Sequence, residues 1–158
     1  MTFLSLGDKA PQFTLRSNDE KEINLLELKG SKVVLYFYPK DNTSGCTAEA
    51  LDFSKWKSEF DKESTIVIGI SPDSIESHKK FHQKNNLSII LLSDESKETL
   101  QAYDVWKEKS MFGKKYMGVV RTTFLINEKG IIVKIWNPVK LKNHAQSVLK
   151  MVESLKQK

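Results

Sequence analysis

Cys46 is the only thiol among the 158 residues, and it stands in a segment rich in turn-forming residues, 39–49. An apolar run typical of a β-strand, 33–38, precedes this segment, and helical apolar spacing follows it from about residue 47. The thiol is therefore predicted in or just before the first turn of a helix, where free N–H groups carry partial positive charge. Because this charge favours the thiolate at neutral pH, the sequence predicts a reactive nucleophile.

A lone cysteine is more often a small buried hydrophobic residue than a nucleophile. The proline, asparagine, threonine, serine and glycine around Cys46 are turn formers, which seldom surround a core position. The surroundings of Cys46 therefore favour the reactive interpretation.

The length and composition predict one domain, residues 1–158, with no membrane span, because no run of eighteen apolar residues exists. Residues 1–8 lack the basic start and long apolar stretch of a secretory signal. A single cysteine forms neither an internal disulfide nor a cysteine-based zinc site. Together these features predict a cytoplasmic protein.

The net charge of +5 raises the possibility of nucleic-acid binding. The lysines are scattered, however, and the short pairs at 79–80 and 114–115 have no aromatic residues interleaved to stack on bases. We therefore predict a solvated lysine-rich surface and no nucleic-acid partner. Only two arginines, Arg16 and Arg121, accompany the many lysines.

Apolar patterns along the chain predict alternating strands and helices. The predicted strands cover 12–15, 22–25, 32–38, 64–70, 89–92, 121–126 and 131–136. The predicted helices cover 47–60, 74–85, 96–103 and 143–156, with one helical turn at 25–30, whereas 104–118 is predicted to be irregular. This order predicts an α/β chain with a thioredoxin-like fold, in which a central mixed sheet is flanked by helices and extended by an N-terminal β-hairpin.

Several motifs together resemble one known family. Pro39, Thr43 and Cys46 match the pattern Pro-x-x-x-Thr-x-x-Cys of peroxiredoxins. Further similar segments occur in the same order as in the bacterioferritin comigratory protein or peroxiredoxin Q branch, at 36–41, 45–50, 69–74, 77–81, 91–94 and 121–126. The resemblance covers essentially the whole chain. It implies a thiol peroxidase that reduces hydrogen peroxide and organic hydroperoxides in antioxidant defence.

The resemblance also implies three catalytic residues. Cys46 is expected to attack the peroxide and become a sulfenic acid. Thr43 is expected to turn its hydroxyl inward and orient the peroxide, although it could instead be a plain helix N-cap. Arg121 is expected to hold the thiolate and stabilise charge in the transition state, unless it is an exposed arginine at a strand edge.

Three more residues are implied to form the pocket. Backbone N–H groups near Gly45 and Cys46 are expected to bind the peroxide oxygens, as oxyanion-hole donors do. Pro39 is expected to shield the pocket, or else simply to end the strand. Glu49 is expected to brace the arginine, or else to be a favourable first-turn carboxylate.

One departure from the family pattern concerns the second, resolving cysteine of many members. The two positions where the branch carries it are Leu51 and His82 here. The sequence therefore predicts a one-cysteine mechanism with an external thiol reductant, such as thioredoxin, glutaredoxin with glutathione, or another small thiol. We expect a monomer or weak homodimer, with no cofactor and no metal.

Rival functions remain open from the sequence. A cysteine hydrolase needs a histidine base, for which His78, His82 and His144 are available. His78 and His82 are also spaced for a metal, but packing or solvated histidines are the expected interpretation. A third possibility is a redox-inactive binding module of the thioredoxin type.

Overall fold

The computed structural model describes residues 4–155. Residues 1–3 belong to the segment that does not resemble a secretory signal, and they lie outside the described residues. Lys156, the end of the predicted C-terminal helix, also lies outside them. Within residues 4–155, no helix is both long and apolar enough to cross a membrane.

Nine strands and five α-helices alternate along the described chain. The strands are β1 (Thr14–Ser17), β2 (Glu22–Asn24), β3 (Lys32–Phe37), β4 (Thr65–Ser71), β5 (Ile90–Ser93), β6 (Trp106–Met111), β7 (Lys114–Val119), β8 (Thr122–Ile126) and β9 (Ile132–Trp136). The helices are α1 (Ser44–Lys55), α2 (Lys57–Lys62), α3 (Ile75–Lys84), α4 (Glu98–Ala102) and α5 (His144–Leu155), with a 3₁₀ turn at Leu25–Leu28.

Seven strands form the central sheet in the order β2-β1-β5-β4-β3-β8-β9. β3, β4 and β5 are parallel, whereas β1 pairs antiparallel with β5, and β8 pairs antiparallel with β3. The mixed sheet and flanking helices confirm the predicted thioredoxin-like α/β fold. The N-terminal β-hairpin is also confirmed, and it joins the sheet through β5.

β3 is buried along its whole length because both faces of the sheet are covered. Val34 and Tyr36 point into one apolar cluster, whereas Val33 and Leu35 point into the other. This alternation follows from the two-residue period of a strand. The run 33–38 lacks charged residues for that reason, and it places the following loop at the carboxyl end of the parallel strands.

Two predictions about local structure are wrong. Residues 104–118 are not irregular, because β6 and β7 pair with each other in a separate two-stranded sheet. The turn residues Phe112 and Gly113 both have positive φ, 52° and 79°, as a tight hairpin turn requires. The predicted helix 47–60 begins earlier, at Ser44, and is interrupted at Trp56.

Candidate active site

Cys46 is the third residue of α1, and Thr43 is the N-cap. The first bond of the helix runs from the N–H of Thr47 to the carbonyl of Thr43 at 2.9 Å. The N–H groups of Gly45 and Cys46 therefore have no carbonyl one turn earlier to bond with. They remain available as donors beside the sulfur.

Arg121 reaches Cys46 from 75 residues away in the chain. It stands immediately before β8, and Thr122 pairs with Phe37 at the carboxyl end of β3. The guanidinium Nη2 lies 3.2 Å from Cys46 Sγ, and Nη1 donates to Glu49 Oε1 at 2.5 Å. The two ends of one guanidinium thus contact the sulfur and a carboxylate on the same helix, which is a geometry that a planar fork permits.

The thiol is buried: Cys46 is 1% exposed and borders the apolar cluster around Tyr36 and Phe53. Cys46 is therefore buried, as a lone cysteine commonly is. The contact with Arg121 distinguishes Cys46 from a core cysteine that touches only apolar groups.

Glu49 is buried, with 2% of its surface exposed. Burial raises the pKa of its carboxyl to about 7, while Arg121 acts in the opposite direction. Its second oxygen, Oε2, has no hydrogen-bond partner among the residues described. Glu49 pairs directly with Arg121, which in turn contacts the sulfur, and its role as a brace in the reaction stays a prediction.

Gly45 leaves space that the arginine occupies. A Cβ at this position would lie 3.4 Å from Arg121 Nη2 and 3.3 Å from Leu141 Cδ1. The contact with Leu141 is tight, and the one with Arg121 lies at the limit of ordinary van der Waals contact, so a side chain here would fill the space beside the group that touches the sulfur. Pro39 is half-buried in the loop between β3 and α1.

Thr43 is exposed, and its hydroxyl donates to the carbonyl of Lys40 at 2.9 Å. Thr43 therefore occupies the N-cap position without a capping bond from its side chain to the helix. Arg121 contacts the sulfur of Cys46, whereas the hydroxyl of Thr43 does not. The role of Thr43 toward peroxide stays a prediction.

A buried polar network fixes the loop that precedes Cys46, and sequence reasoning missed it. Asp41 accepts hydrogen bonds from Tyr38 Oη at 2.7 Å and from Ser77 Oγ at 2.8 Å, and it contacts His78 Nδ1 at 2.7 Å. The backbone N–H of Asp41 donates to Asp73 Oδ2 at 2.8 Å. The loop is thereby attached to α3 and to the β4–α3 connection. A local sequence pattern does not predict contacts such as those between Asp41 and α3, which join residues more than thirty positions apart.

The histidines do not form the alternative sites. The ring nitrogens of His78 contact Asp41 and the carbonyl of Leu92, His82 contacts the carbonyl of Ile89, and His144 contacts Thr123. None of the three hydrogen-bonds Cys46 Sγ, so the arrangement of a cysteine hydrolase is missing among the described residues.

Potential metal-ligand atoms of Asp41, Asp73 and His78 lie within 4.8 Å of one another. These carboxylates beside His78 were not expected from the sequence. The same atoms take part in the hydrogen bonds of the loop network, which accounts for their proximity. His82 is not part of this group, so the two histidines of α3 do not share a site.

The chain matches known proteins over most of its length. The AhpC/TSA family matches residues 6–135. Peroxiredoxin Bcp of Bacillus subtilis is 43% identical over 155 residues, which cover 98% of this chain and 99% of the relative.

Two solved structures extend the likeness to the fold. That of a cysteine-to-serine mutant of Xylella fastidiosa PrxQ is 33% identical, covers 99% of both chains and has a TM-score of 0.93. That of the bacterioferritin comigratory protein of Xanthomonas campestris, described in terms of alkyl peroxide reduction, is 39% identical with a TM-score of 0.86 over 90% of both chains.

Proposed function

The chain belongs to the AhpC/TSA family as a peroxiredoxin of the Bcp (PrxQ) type, and we propose from this premise that Cys46 is the residue with which it reduces peroxides. It is a thiol-dependent peroxidase with an antioxidant function. The observation that carries the assignment to Cys46 is the 3.2 Å contact between the guanidinium of Arg121 and Sγ.

The reaction begins when the Cys46 thiolate attacks one oxygen of the peroxide. A sulfur–oxygen bond forms while the O–O bond breaks, and the bonding electrons leave with the distal oxygen, which takes up a proton. The products are an alcohol or water and a sulfenic acid on Cys46. The sulfur is oxidised by two electrons and the peroxide is reduced by two.

Arg121 and the start of α1 supply the positive charge for this step. The guanidinium keeps its proton throughout, so it stabilises both the thiolate and the negative charge that grows on the leaving oxygen. The N–H groups of Gly45 and Cys46, in the first turn of α1, would hold peroxide oxygens in the manner of an oxyanion hole. Glu49 positions Arg121 rather than touching the peroxide.

Thr43 and Pro39 complete the proposed pocket. Thr43 would orient the peroxide through its hydroxyl, which requires that the bond to the carbonyl of Lys40 be exchanged when peroxide binds. Pro39 would shield the pocket from the side of the β3–α1 loop.

An external thiol reduces the sulfenic acid, because Cys46 is the only cysteine of the chain. We extend this to a one-cysteine cycle in which thioredoxin, glutaredoxin with glutathione, or another small thiol regenerates Cys46. The substrates proposed are hydrogen peroxide and organic hydroperoxides, the latter supported by the alkyl peroxide reduction described for the Xanthomonas campestris relative.

The test is peroxide consumption by the reduced protein in single turnover, with Cys46→Ser as the control. We expect a second-order reaction in the native protein and none above background in the variant. Mass spectrometry should then find one added oxygen or a mixed disulfide at Cys46. Equal rates for the two proteins would remove Cys46 from the reaction.

The setting of the protein is also part of the proposal. We propose one domain over residues 1–158, acting in the cytoplasm as a monomer or weak homodimer, without a nucleic-acid or membrane partner. The net charge of +5, which repels a second copy, supports weak self-association. Sedimentation velocity across a hundredfold range of protein concentration tests this.

A further inference from the structure

The β6–β7 hairpin carries an unusual amount of exposed apolar surface. Four large hydrophobic side chains on it are exposed: Met111 (56%), Phe112 (97%), Tyr116 (43%) and Met117 (51%). Within residues 4–155 the two strands pair only with each other. A two-stranded hairpin has little stability of its own, and clustered exposed apolar side chains commonly mark a binding surface.

The pairing register separates the hairpin into two faces. Residues paired across antiparallel strands share a face, and neighbours along a strand alternate between faces. Trp106 and Val119 share the face that packs into the core at its base. The opposite side, which we name the Lys109 face, comprises Lys107, Lys109, Met111, Lys114, Tyr116 and Gly118.

Lys109 connects this face to the segment that precedes Arg121. Lys109 Nζ donates to the carbonyl of Val119 at 2.6 Å, two residues before Arg121. Burial and the charge of Arg121 lower the pKa of Lys109, and the thiolate of Cys46 acts in the opposite direction. The base of this face therefore lies within electrostatic range of the reacting pair.

The charges on this face favour one kind of partner. It carries three lysines and no carboxylate, although Lys107 contacts Asp104 at 3.4 Å. A second copy of the chain would bring lysine against lysine, in a protein whose net charge is already +5. An acidic partner with apolar side chains matches the charge and the exposed Met111 and Tyr116.

We propose that the Lys109 face is the docking surface for an acidic protein dithiol that reduces oxidised Cys46, a step that rests on the proposed function. Because Cys46 is 1% exposed, a protein thiol reaches its sulfur only when docking fixes its direction. The chain has no second thiol that could act in its place.

The chemistry of this step balances without any further reactant. One partner thiol attacks the sulfenic sulfur, so that a mixed disulfide forms and the hydroxyl leaves as water. The second partner thiol then attacks the partner's sulfur in the mixed disulfide. The Cys46 thiol is released, and the partner leaves oxidised as an internal disulfide.

The experiment uses two variants matched in position and chemistry. Lys114→Glu with Tyr116→Ser alters the Lys109 face, whereas Lys115→Glu with Met117→Ser makes similar changes on the opposite face. All four positions are exposed. A purified thioredoxin is the probe, dithiothreitol is the non-docking reductant, and hydrogen peroxide is the substrate.

We expect the first variant to raise the KM for thioredoxin about tenfold, since loss of an aromatic anchor at an interface costs on the order of this factor. The control variant should stay within about twofold, given that rim positions contribute little. The rate with dithiothreitol should be unchanged in both. Added salt should raise the native KM for thioredoxin, because the attraction is electrostatic.

Three outcomes would overturn the docking surface. These are an unchanged KM in the first variant, equal losses in both variants, and glutathione matching thioredoxin at equal thiol concentration. Failure of the proposed function differs from all three, since native protein and Cys46→Ser would then be alike with dithiothreitol. If the double variant does not fold, the single variants Lys114→Glu and Lys115→Glu, which lie next to each other near the turn, are compared instead.

Discussion

Arg121→Lys tests the claim that a forked cation, rather than positive charge alone, drives the reaction. In the native site the two terminal nitrogens of Arg121 contact different partners, Cys46 Sγ at 3.2 Å and Glu49 Oε1 at 2.5 Å. A lysine has one nitrogen, and Glu49, which is buried, competes for it. The variant keeps the charge and loses one of the two contacts.

The expected cost follows from that single lost donor. Removal of one preorganised donor from a developing negative charge typically costs about 3–4 kcal/mol, which corresponds to a rate loss of roughly 10²–10³. We therefore expect the second-order rate constant for hydrogen peroxide to fall by about that factor. The fold should persist, since the ion pair with Glu49 can form with lysine.

Stopped-flow measurement of the reduced protein against hydrogen peroxide gives this constant directly. The matched control is Arg16→Lys, because Arg16 is the other arginine, is exposed on β1, and donates to the carbonyl of Glu20. Circular dichroism on both variants checks that the fold is retained. A rate for Arg121→Lys within threefold of native would refute the role given to the guanidinium fork.

Three further substitutions have expected outcomes. Burial raises the pKa of Glu49 to about 7 from its ordinary 4.5, so the folded state holds this proton more tightly than the unfolded state and stability falls as pH rises between these values. Glu49→Gln should reduce this fall in the free energy of unfolding by about 3 kcal/mol, as measured by urea unfolding across the pH range. If the free energy of unfolding depended on pH in the same way in both proteins, this prediction would be contradicted. Asp41→Ala leaves several buried donors without an acceptor, so we expect a loss of about 3 kcal/mol or more by the same measurement; a loss below 1 kcal/mol would show that the loop network is not stabilising. At Gly69 a Cβ would lie 2.6 Å from Tyr36 Cζ, so Gly69→Ala should lower the melting temperature by an amount corresponding to about 1–3 kcal/mol, and an unchanged melting temperature would mean that the ring moves freely.

The sequence predicts those strands and helices that bury at least one face in the apolar core. β3 was found because two apolar clusters receive its alternating side chains, which leaves no charged residue from 33 to 38. β6 and β7 were missed because exposed residues cover most of their length, and lysines occur on both faces. Without a buried face, the strand period leaves no trace in the apolar pattern.

The candidate site divides in the same way. The position of Cys46 at the start of a helix follows from local turn formers and helical spacing, and the resemblance supplied Arg121 and Glu49. The contact between Asp41 and His78 depends on how α3 packs beside the loop. Such contacts arise from tertiary packing between distant segments, so no short motif contains them.

The burial of the Cys46 sulfur has a practical consequence for thiol labelling. Reagents much larger than a peroxide, such as dye-linked maleimides, must enter a space bounded by the apolar cluster and the guanidinium of Arg121. Under native conditions they would under-report this cysteine, and proteome surveys would score a fully reduced molecule as already modified. Denaturing the sample before alkylation would restore the correct redox reading.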